Sequence, residues 1–301
     1  MLKLGACEAR LLCCPPMRRK PTITIIGPGK LGTALTLSLR RAGYTIEEIV
    51  TGRQSSSRAR AALLARKVQS QCRTIAHATL SADVVWLCVP DAEIRRCARD
   101  LRPRTEWQGK TVLHSSGALA SDELDALRRE GATVASLHPL MTFVSASVPS
   151  LDGVPFAVEG DAKAVGVAMT IARDLGGSVF PISKKHKPAY HAWGSFSSPL
   201  LVALLVTAEE VARSAGISSR VARERMLPIL QQTLSNYAKY GAAEAFSGPL
   251  IRGDVATIRK HLEVLRRLPR ARAVYIALAQ AALHKLPVSR RMQSAKLLDQ
   301  F

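Results

Sequence analysis

The chain has 301 residues, of which 47% are hydrophobic and 22% charged, and its 43 Lys and Arg against 23 Asp and Glu give a formal charge of +20. That length and apolar content can fill one large core or two ordinary ones, which excludes a disordered chain. The charge invites nucleic acid, but the basic residues scatter over many predicted helix faces (Arg58, Arg95, Arg128, Arg259 and Arg266 among them) and aromatic residues are only 5%, so no nucleic-acid partner is expected and the charge reads as a solvated surface that also attracts anionic cofactors.

No run of 18 apolar residues is present, so no membrane span is expected. Residues 1–20 are broken by Glu8 and Arg10 before Leu11, too short an apolar stretch for a signal peptide, and read as a loose extension with either Met1 or Met17 as the natural start. The six cysteines, at positions 7, 13, 14, 72, 88 and 97, include no C-x-x-C pair and have no histidines at zinc spacing. A reduced, cytoplasmic compartment and no metal site are expected. Cys88 lies in an apolar strand pattern and is expected to act as a small buried hydrophobe.

From residue 22 onward, short β-branched runs alternate with helical periodicity, which predicts an α/β fold: a doubly wound parallel sheet of the Rossmann kind over residues 21–182. Strands are expected at 22–26, 46–51, 84–89, 111–114 and 134–137, with 154–158 and 178–181 extending the sheet, and helices near 30–42, 56–66, 91–101, 121–130 and 161–175. Beyond 183 the strand-like runs give way to amphipathic stretches near 188–215, 219–240, 254–268 and 270–285, which predict an all-helical domain over 183–301. Its stripes, such as Leu200, Leu201, Leu204 and Leu205, are broader than one bundle must hide, so a homodimer through this domain is expected.

Gly27-Pro28-Gly29-Lys30-Leu31-Gly32 is a G-x-G-x-x-G run with a strand before it, a helix after it, Gly43 closing that helix and a second strand from Ile46. This context identifies a dinucleotide site: Gly27 permits the turn, Gly29 leaves room for the pyrophosphate, and Gly32 lets helix and strand pack closely. At the end of the second strand the acid that would bind the adenosine ribose is missing. Arg53, Ser55 and Arg58 follow instead, a guanidinium and hydroxyls suited to a 2′-phosphate, so the expected cofactor is NADP. Val89 and Pro90 are expected along the cofactor, with Ser115 and Ser116 after the next strand and His138 after the one beyond. Asp91 is expected to cap the helix that follows Pro90.

These motifs, together with Ser136 to Leu140, Gly153 to Phe156, Lys187 with Tyr190-His191, Gly248-Pro249, Arg252-Gly253-Asp254, Thr257 and His261, resemble Rossmann-like proteins whose C-terminal half is a domain of unknown function 2520. That group is described as NADP oxidoreductases of a deazaflavin-dependent type, and is similar more widely to 6-phosphogluconate dehydrogenase, pyrroline-5-carboxylate reductase and ketopantoate reductase. The resemblance covers roughly residues 22–280 and implies an NADP-dependent oxidoreductase. It departs at Pro199, where relatives commonly carry an Asn that can bind substrate.

Hydride transfer to a carbonyl or imine carbon needs a proton donor or a positive charge near the developing negative one. Pro188 suits a first helical turn, and then His191, Ser195 and Ser198 share one face of an otherwise apolar helix that Pro199 kinks. Lys187, Tyr190 and His191 are candidate donors, against the alternatives of a structural histidine and a solvated lysine. Arg252 can hold a substrate carboxylate in two-point contact, while Asp254 reads as an N-cap. The expected activity is hydride transfer between NADP(H) and a small, carboxylated carbonyl, hydroxy or imine compound, a 2-keto acid such as ketopantoate among them. The competing reading is an NADP-binding sensor or scaffold without turnover.

Overall fold

A computed structural model describes residues 19–52, 55–144 and 148–301, with the backbone alone at Ser55 and Ser56. Contacts divide the chain into two compact units, one ending at Gly194 and the other beginning at Ser195. The division falls later than the change of sequence texture near 183, because Lys187 and Tyr190 are buried and bonded to the sheet.

The first unit runs β1 (Ile23–Ile26), α1 (Lys30–Arg41), β2 (Ile46–Thr51), α2 (Ser55–Val68), β3 (Gln71–Thr74), β4 (Val84–Leu87), α3 (Asp91–Leu101), β5 (Thr111–His114), α4 (Asp125–Arg128), β6 (Thr133–Pro139), β7 (Pro155–Gly160), α5 (Ala162–Asp174), β8 (Ser178–Pro181) and the first turns of α6 (Lys187–Ser197). The strands form one sheet in the order β3-β2-β1-β4-β5-β6-β7-β8. Every neighbouring pair is parallel except β6 with β7. The chain winds outward from β1 to β3 and then returns to start again at β4, so the topological switch lies between β1 and β4, where doubly wound folds bind ligands.

Both faces of the sheet are covered, and the two-residue period assigns side chains to them. Ile25 and Trp86 join Leu35, Leu39 and Phe156 in one core, whereas Ile26 and Leu87 join Ile94, Leu101 and Trp107 in the other. Each such side chain contributes roughly 1.5–3 kcal/mol by its burial. Two expectations need correction. β3 was not anticipated, because Gln71 to Arg73 are exposed at the sheet edge and carry no apolar pattern. The helix expected over 121–130 is a 3-10 turn over Ser121–Leu124 followed by the single turn of α4.

The second unit contains α7 (Pro199–Ser214), α8 (Ser219–Ala245), α9 (Pro249–Arg252), α10 (Val255–Leu265), α11 (Pro269–Lys285) and α12 (Arg291–Leu298). Ile258, Leu262, Ala279, Leu283, Leu297 and Leu298 form its core. Asp254 caps α10 as expected, accepting from the Thr257 N–H at 3.1 Å and hydroxyl at 2.7 Å. The Arg223 guanidinium donates to both Glu209 oxygens and ties α8 to α7. The helix expected over 188–215 is divided at Ser198, whose φ of −134° and ψ of −80° are not helical, immediately before Pro199. α8 is interrupted by a kink at Gly241, whose φ of 80° and ψ of 178° are not helical, and a last helical turn follows to Ala245.

Contrary to the expectation from the lack of an unbroken apolar run, Lys184–Ser214 is long and apolar enough by composition to cross a bilayer, with a mean hydropathy of 1.4 over its most apolar window. The break at Ser198 leaves α6 with 11 residues and α7 with 16, each short of the about 20 that a helical span requires.

Candidate active site

The glycine run sits at the switch point and each glycine has a distinct steric reason to be there. Gly27 takes a φ of +94°, and a Cβ on it would meet the Cys88 carbonyl oxygen at 2.7 Å. A Cβ on Gly32 would lie 2.1 Å from the Gly27 carbonyl oxygen. Gly29 opens α1 as its N-cap, has no side-chain cap, and would carry a Cβ with nothing within 4 Å. Two glycines are thus required by packing, and the third leaves open space before a helix N-terminus.

That space belongs to a cleft of about 1280 Å³ whose wall includes Gly27, Pro28, Gly29, Val89 and Pro90. Lys30 and Leu31 belong to the motif but not to this wall; Lys30 is exposed and Leu31 packs against the core. Arg58 and Arg60 of α2, Arg96 and Arg99 of α3 and Arg104 beyond it bring guanidinium groups to the same cleft, Ser57 adds a hydroxyl, and Glu93 and Asp100 of α3 are its two acids. Thr51, at the end of β2, also stands on it, and its buried hydroxyl has no hydrogen-bond partner among the described residues. Both acids on β2 are spent internally, Glu48 on Thr79 and the Leu80 N–H and Glu47 on the Ser81 hydroxyl. An open cradle, an unpartnered hydroxyl and a cationic rim without a ribose-binding acid fit a phosphorylated dinucleotide. Arg53 lies outside the described residues, as does the side chain of Ser55.

A second group of polar side chains, buried in the first unit, gathers on β5, β6 and β7, in the turn after β5 and on the first turns of α6. His114 is fully buried; its Nδ1 accepts the Ser116 N–H at 3.1 Å and its Nε2 meets the Ala120 carbonyl at 3.1 Å. Ser115 and Ser116, expected to bind cofactor, do not line the cleft. The Ser115 hydroxyl accepts from the Trp86 indole at 2.8 Å, and the Ser116 hydroxyl donates to Asp91 at 2.7 Å. The expectation that Asp91 caps α3 is therefore corrected. Pro90 is the cap residue, and the Asp91 carboxylate, one residue inside the helix, is occupied by Ser116.

Lys187 is completely buried, contrary to its reading as a solvated charge. Its ammonium donates to the Ser116 carbonyl at 2.9 Å and to the Ser136 hydroxyl at 2.6 Å, and lies 4.0 Å from Glu159. Burial pushes its pKa down to about 8, opposed by Glu159 and Asp91. Three residues along the same helix, Tyr190 packs edge-on to Phe180 and shares a 2.7 Å hydrogen bond with His138 Nδ1. Burial pushes the Tyr190 phenol up to about 12. Burial and then the Lys187 charge hold both His138 and His114 at about 4, so both rings are neutral near pH 7.

Exposed His191 completes the group. A Cβ on Gly117 would lie 2.8 Å from His191 Cδ2 and 2.9 Å from His138 Nε2, so the two rings close over a residue that must lack a side chain. His138 is read from sequence only as a strand end facing the crevice, without a catalytic role, and Ser136 and Glu159 are given no site role at all. The available signal was that each ends or follows an apolar strand run. Ser198 and Arg252 belong to the second unit: Ser198 at the break before α7, and Arg252, exposed, at the end of α9. Cys88, just past β4, is only half-buried, packing against the core while also lining the cleft, which corrects its reading as a buried hydrophobe; burial of its thiol pushes the pKa up to about 12.

The sequence matches the Rossmann-like domain over residues 16–139 and the domain of unknown function DUF2520 over residues 154–282. No curated protein matches it. Among solved structures, a Bacteroides fragilis protein described as an NADP oxidoreductase is 21% identical with a TM-score of 0.72, covering 87% of this chain and 97% of its own. A Thermotoga maritima protein is 21% identical with a TM-score of 0.68, covering 93% of this chain and 99% of its own. The reductive aminase of Aspergillus terreus, in complex with NADPH and ethyl-5-oxohexanoate, is 17% identical with a TM-score of 0.64, covering 94% of this chain and all of its own. At these identities the likeness is one of fold.

Proposed function

We propose, the chain being a Rossmann-like protein with a C-terminal DUF2520 domain, that it is an NADP-dependent oxidoreductase acting on a small, carboxylated carbonyl, hydroxy or imine compound. The observation that carries this reading is the open cradle at Gly29, which faces a cleft where five arginines outnumber two acids, Glu93 and Asp100, and where no acid follows β2 to bind the ribose. It is supported by the description of the Bacteroides fragilis protein and by the NADPH held by the Aspergillus terreus reductive aminase.

When bound, NADPH supplies hydride to the electrophilic carbon. The chain supplies charge and proton. Lys187, at about 8, keeps its proton at neutral pH and places a buried positive charge beneath the Ser116 carbonyl, where it favours negative charge developing near residues 115–117. With Tyr190 donating to Nδ1, neutral His138 carries its proton on Nε2, the nitrogen beside Gly117. His191, on the exposed side of Gly117, is the alternative donor. Arg252 and Ser198 are proposed for substrate binding on side-chain chemistry alone.

One observation favours the second reading, an NADP-binding sensor without turnover: Lys187 has no exposed surface and spends two donors on Ser116 and Ser136. NADPH and NADH oxidation followed against a panel of 2-keto acids and of ketones mixed with amines separates the two. Turnover preferring NADPH supports the reductase, whereas tight NADPH binding with no turnover across the panel supports the sensor.

The free thiols at Cys72, Cys88 and Cys97 accord with a proposed cytoplasmic, reduced setting. We propose further that the second unit pairs two copies of the chain, with neither a membrane nor a nucleic acid as partner. Val202, Val206, Ile229 and Leu234 are 57%, 59%, 66% and 60% exposed on α7 and α8, apolar surface of the kind that marks an interaction face. Val206→Glu with Ile229→Glu is expected to convert a two-chain species to one chain in light scattering after size exclusion. A two-chain mass unchanged in the double variant rules out this face as the interface.

A further inference from the structure

Glu159 stands on β7 behind Phe156, Ala157 and Val158, which are 0%, 0% and 1% exposed, and its own side chain is 5% exposed. A carboxylate so placed must be paired or lose its charge. Both oxygens are held by one residue: Oε1 accepts the Ser121 N–H at 2.7 Å and Oε2 accepts the Ser121 hydroxyl at 2.9 Å. This clamp fixes the carboxylate with Oε1 at 4.0 Å from the Lys187 ammonium. On its other side the ammonium reaches the Ser116 carbonyl and the Ser136 hydroxyl, and Ser136 itself donates to the Ser116 carbonyl at 3.1 Å. β6, β7 and the turn after β5 therefore converge on a single buried cation.

We propose that Glu159 is a positioning residue: clamped by Ser121, it keeps Lys187 as an ammonium under the Ser116 carbonyl and so sets the pH range in which the site carries its positive charge. The inference deepens the functional reading above and rests on its use of Lys187.

The remaining charged groups around Lys187 do not substitute for Glu159. Asp91 on α3 also favours the ammonium, but its carboxylate accepts the Ser116 hydroxyl. His114 on β5 and His138 on β6 are neutral near pH 7 and lend no negative charge. Burial drives the ammonium toward the neutral amine, so removing the Glu159 charge leaves that drive opposed by Asp91 alone.

The test uses the full chain without cofactor, with lysine side chains labelled with carbon-13 and Lys187 identified by the resonance lost in Lys187→Arg. Glu159→Gln keeps the shape and a donor and acceptor for Ser121 while removing the charge. Its Lys187 titration midpoint is expected to fall by on the order of 1–3 pH units, and the alkaline limb of NADPH turnover should fall with it. Ser121→Ala keeps the charge but releases one oxygen, and is expected to give a smaller fall in the same direction; it carries the test should Glu159→Gln not fold. Unmoved Lys187 midpoints in the folded variants overturn the proposal whatever turnover does. A moved midpoint with an unmoved turnover profile upholds the Glu159–Lys187 pairing and instead overturns the part given to Lys187 in the chemistry.

Discussion

Gly29→Asp is expected to abolish NADPH binding while leaving the protein folded. The backbone at this residue, φ −74° and ψ −167°, is ordinary extended geometry for any amino acid. A Cβ there meets no atom within 4 Å, so nothing in the fold resists the substitution. What changes is the ligand's side of the cradle. A carboxylate would stand at the opening of α1, where unpaired N–H groups and the helix dipole favour the anionic pyrophosphate. Like charges about 4 Å apart at an effective dielectric near 20 repel by about 4 kcal/mol, or about three orders of magnitude in Kd. Gly29→Ala, which adds bulk without charge, should bind NADPH far more nearly as the wild type does. Gly32→Ala should behave oppositely, because its Cβ would fall 2.1 Å from the Gly27 carbonyl oxygen and damage packing before binding. Calorimetric titration with NADPH beside thermal melts distinguishes the three variants. A folded Gly29→Asp protein with wild-type affinity would mean that the dinucleotide does not lie on this loop.

The contrast between Gly29 and Gly32 also shows what the sequence could convey. A glycine spacing and the strands around it are local, and β1, α1 and β2 formed where the pattern placed them. The buried strands were legible because both faces of the sheet are covered, so Val84 to Leu87 and Thr111 to His114 read as unbroken buried runs. β3 escaped because an exposed edge strand needs only backbone pairing with β2, and Gln71, Cys72 and Arg73 carry no apolar signature. The antiparallel entry of β7 beside β6 was hidden for another reason. Strand direction depends on how the intervening loop turns back, which neither strand's composition records.

The polar group on β5 to β7 and the turn after β5 was legible in part. Lys184, Lys185 and Lys187 lie within one basic run, yet only Lys187 is buried, while Lys184 pairs with Asp122 at the surface. The distinguishing sign was helical phase: Lys187 precedes buried Tyr190 by three residues and shares its face. Asp91 was misread because an acid before a helix usually caps it. Here Pro90 already supplies the extended residue, and the carboxylate turns to a serine 25 residues away in sequence. Such long-range pairings, like that of Glu159 with Ser121, come from the sheet order and leave no trace in local spacing.

Those pairings make the first unit sensitive to acid. His114 and His138 are each lowered from 6.5 to about 4, chiefly by burial and then by the Lys187 charge. Between these values the unfolded chain binds protons that the folded chain refuses, so stability is held above about pH 6.5 and is lost as the pH falls toward 4. The full shift corresponds to roughly 3 kcal/mol for each ring, a large share of the ~5–15 kcal/mol by which a folded protein is usually stable. Lys187 acts on the other limb with the same sign. Its value is lowered from 10.5 to about 8, so the burial penalty is present below pH 8 and relieved as the pH rises toward 10.5. His138→Asn removes one titrating ring while keeping an acceptor for the Tyr190 hydroxyl. Urea denaturation of wild type and variant at about pH 7 and about pH 4.5 should show the wild type losing roughly 2–3 kcal/mol more than the variant over that interval. Equal losses would mean that the His138 ring is charged, or open to water, in the folded protein. Its bond to Tyr190 could not then be the one that leaves a proton on Nε2 beside Gly117.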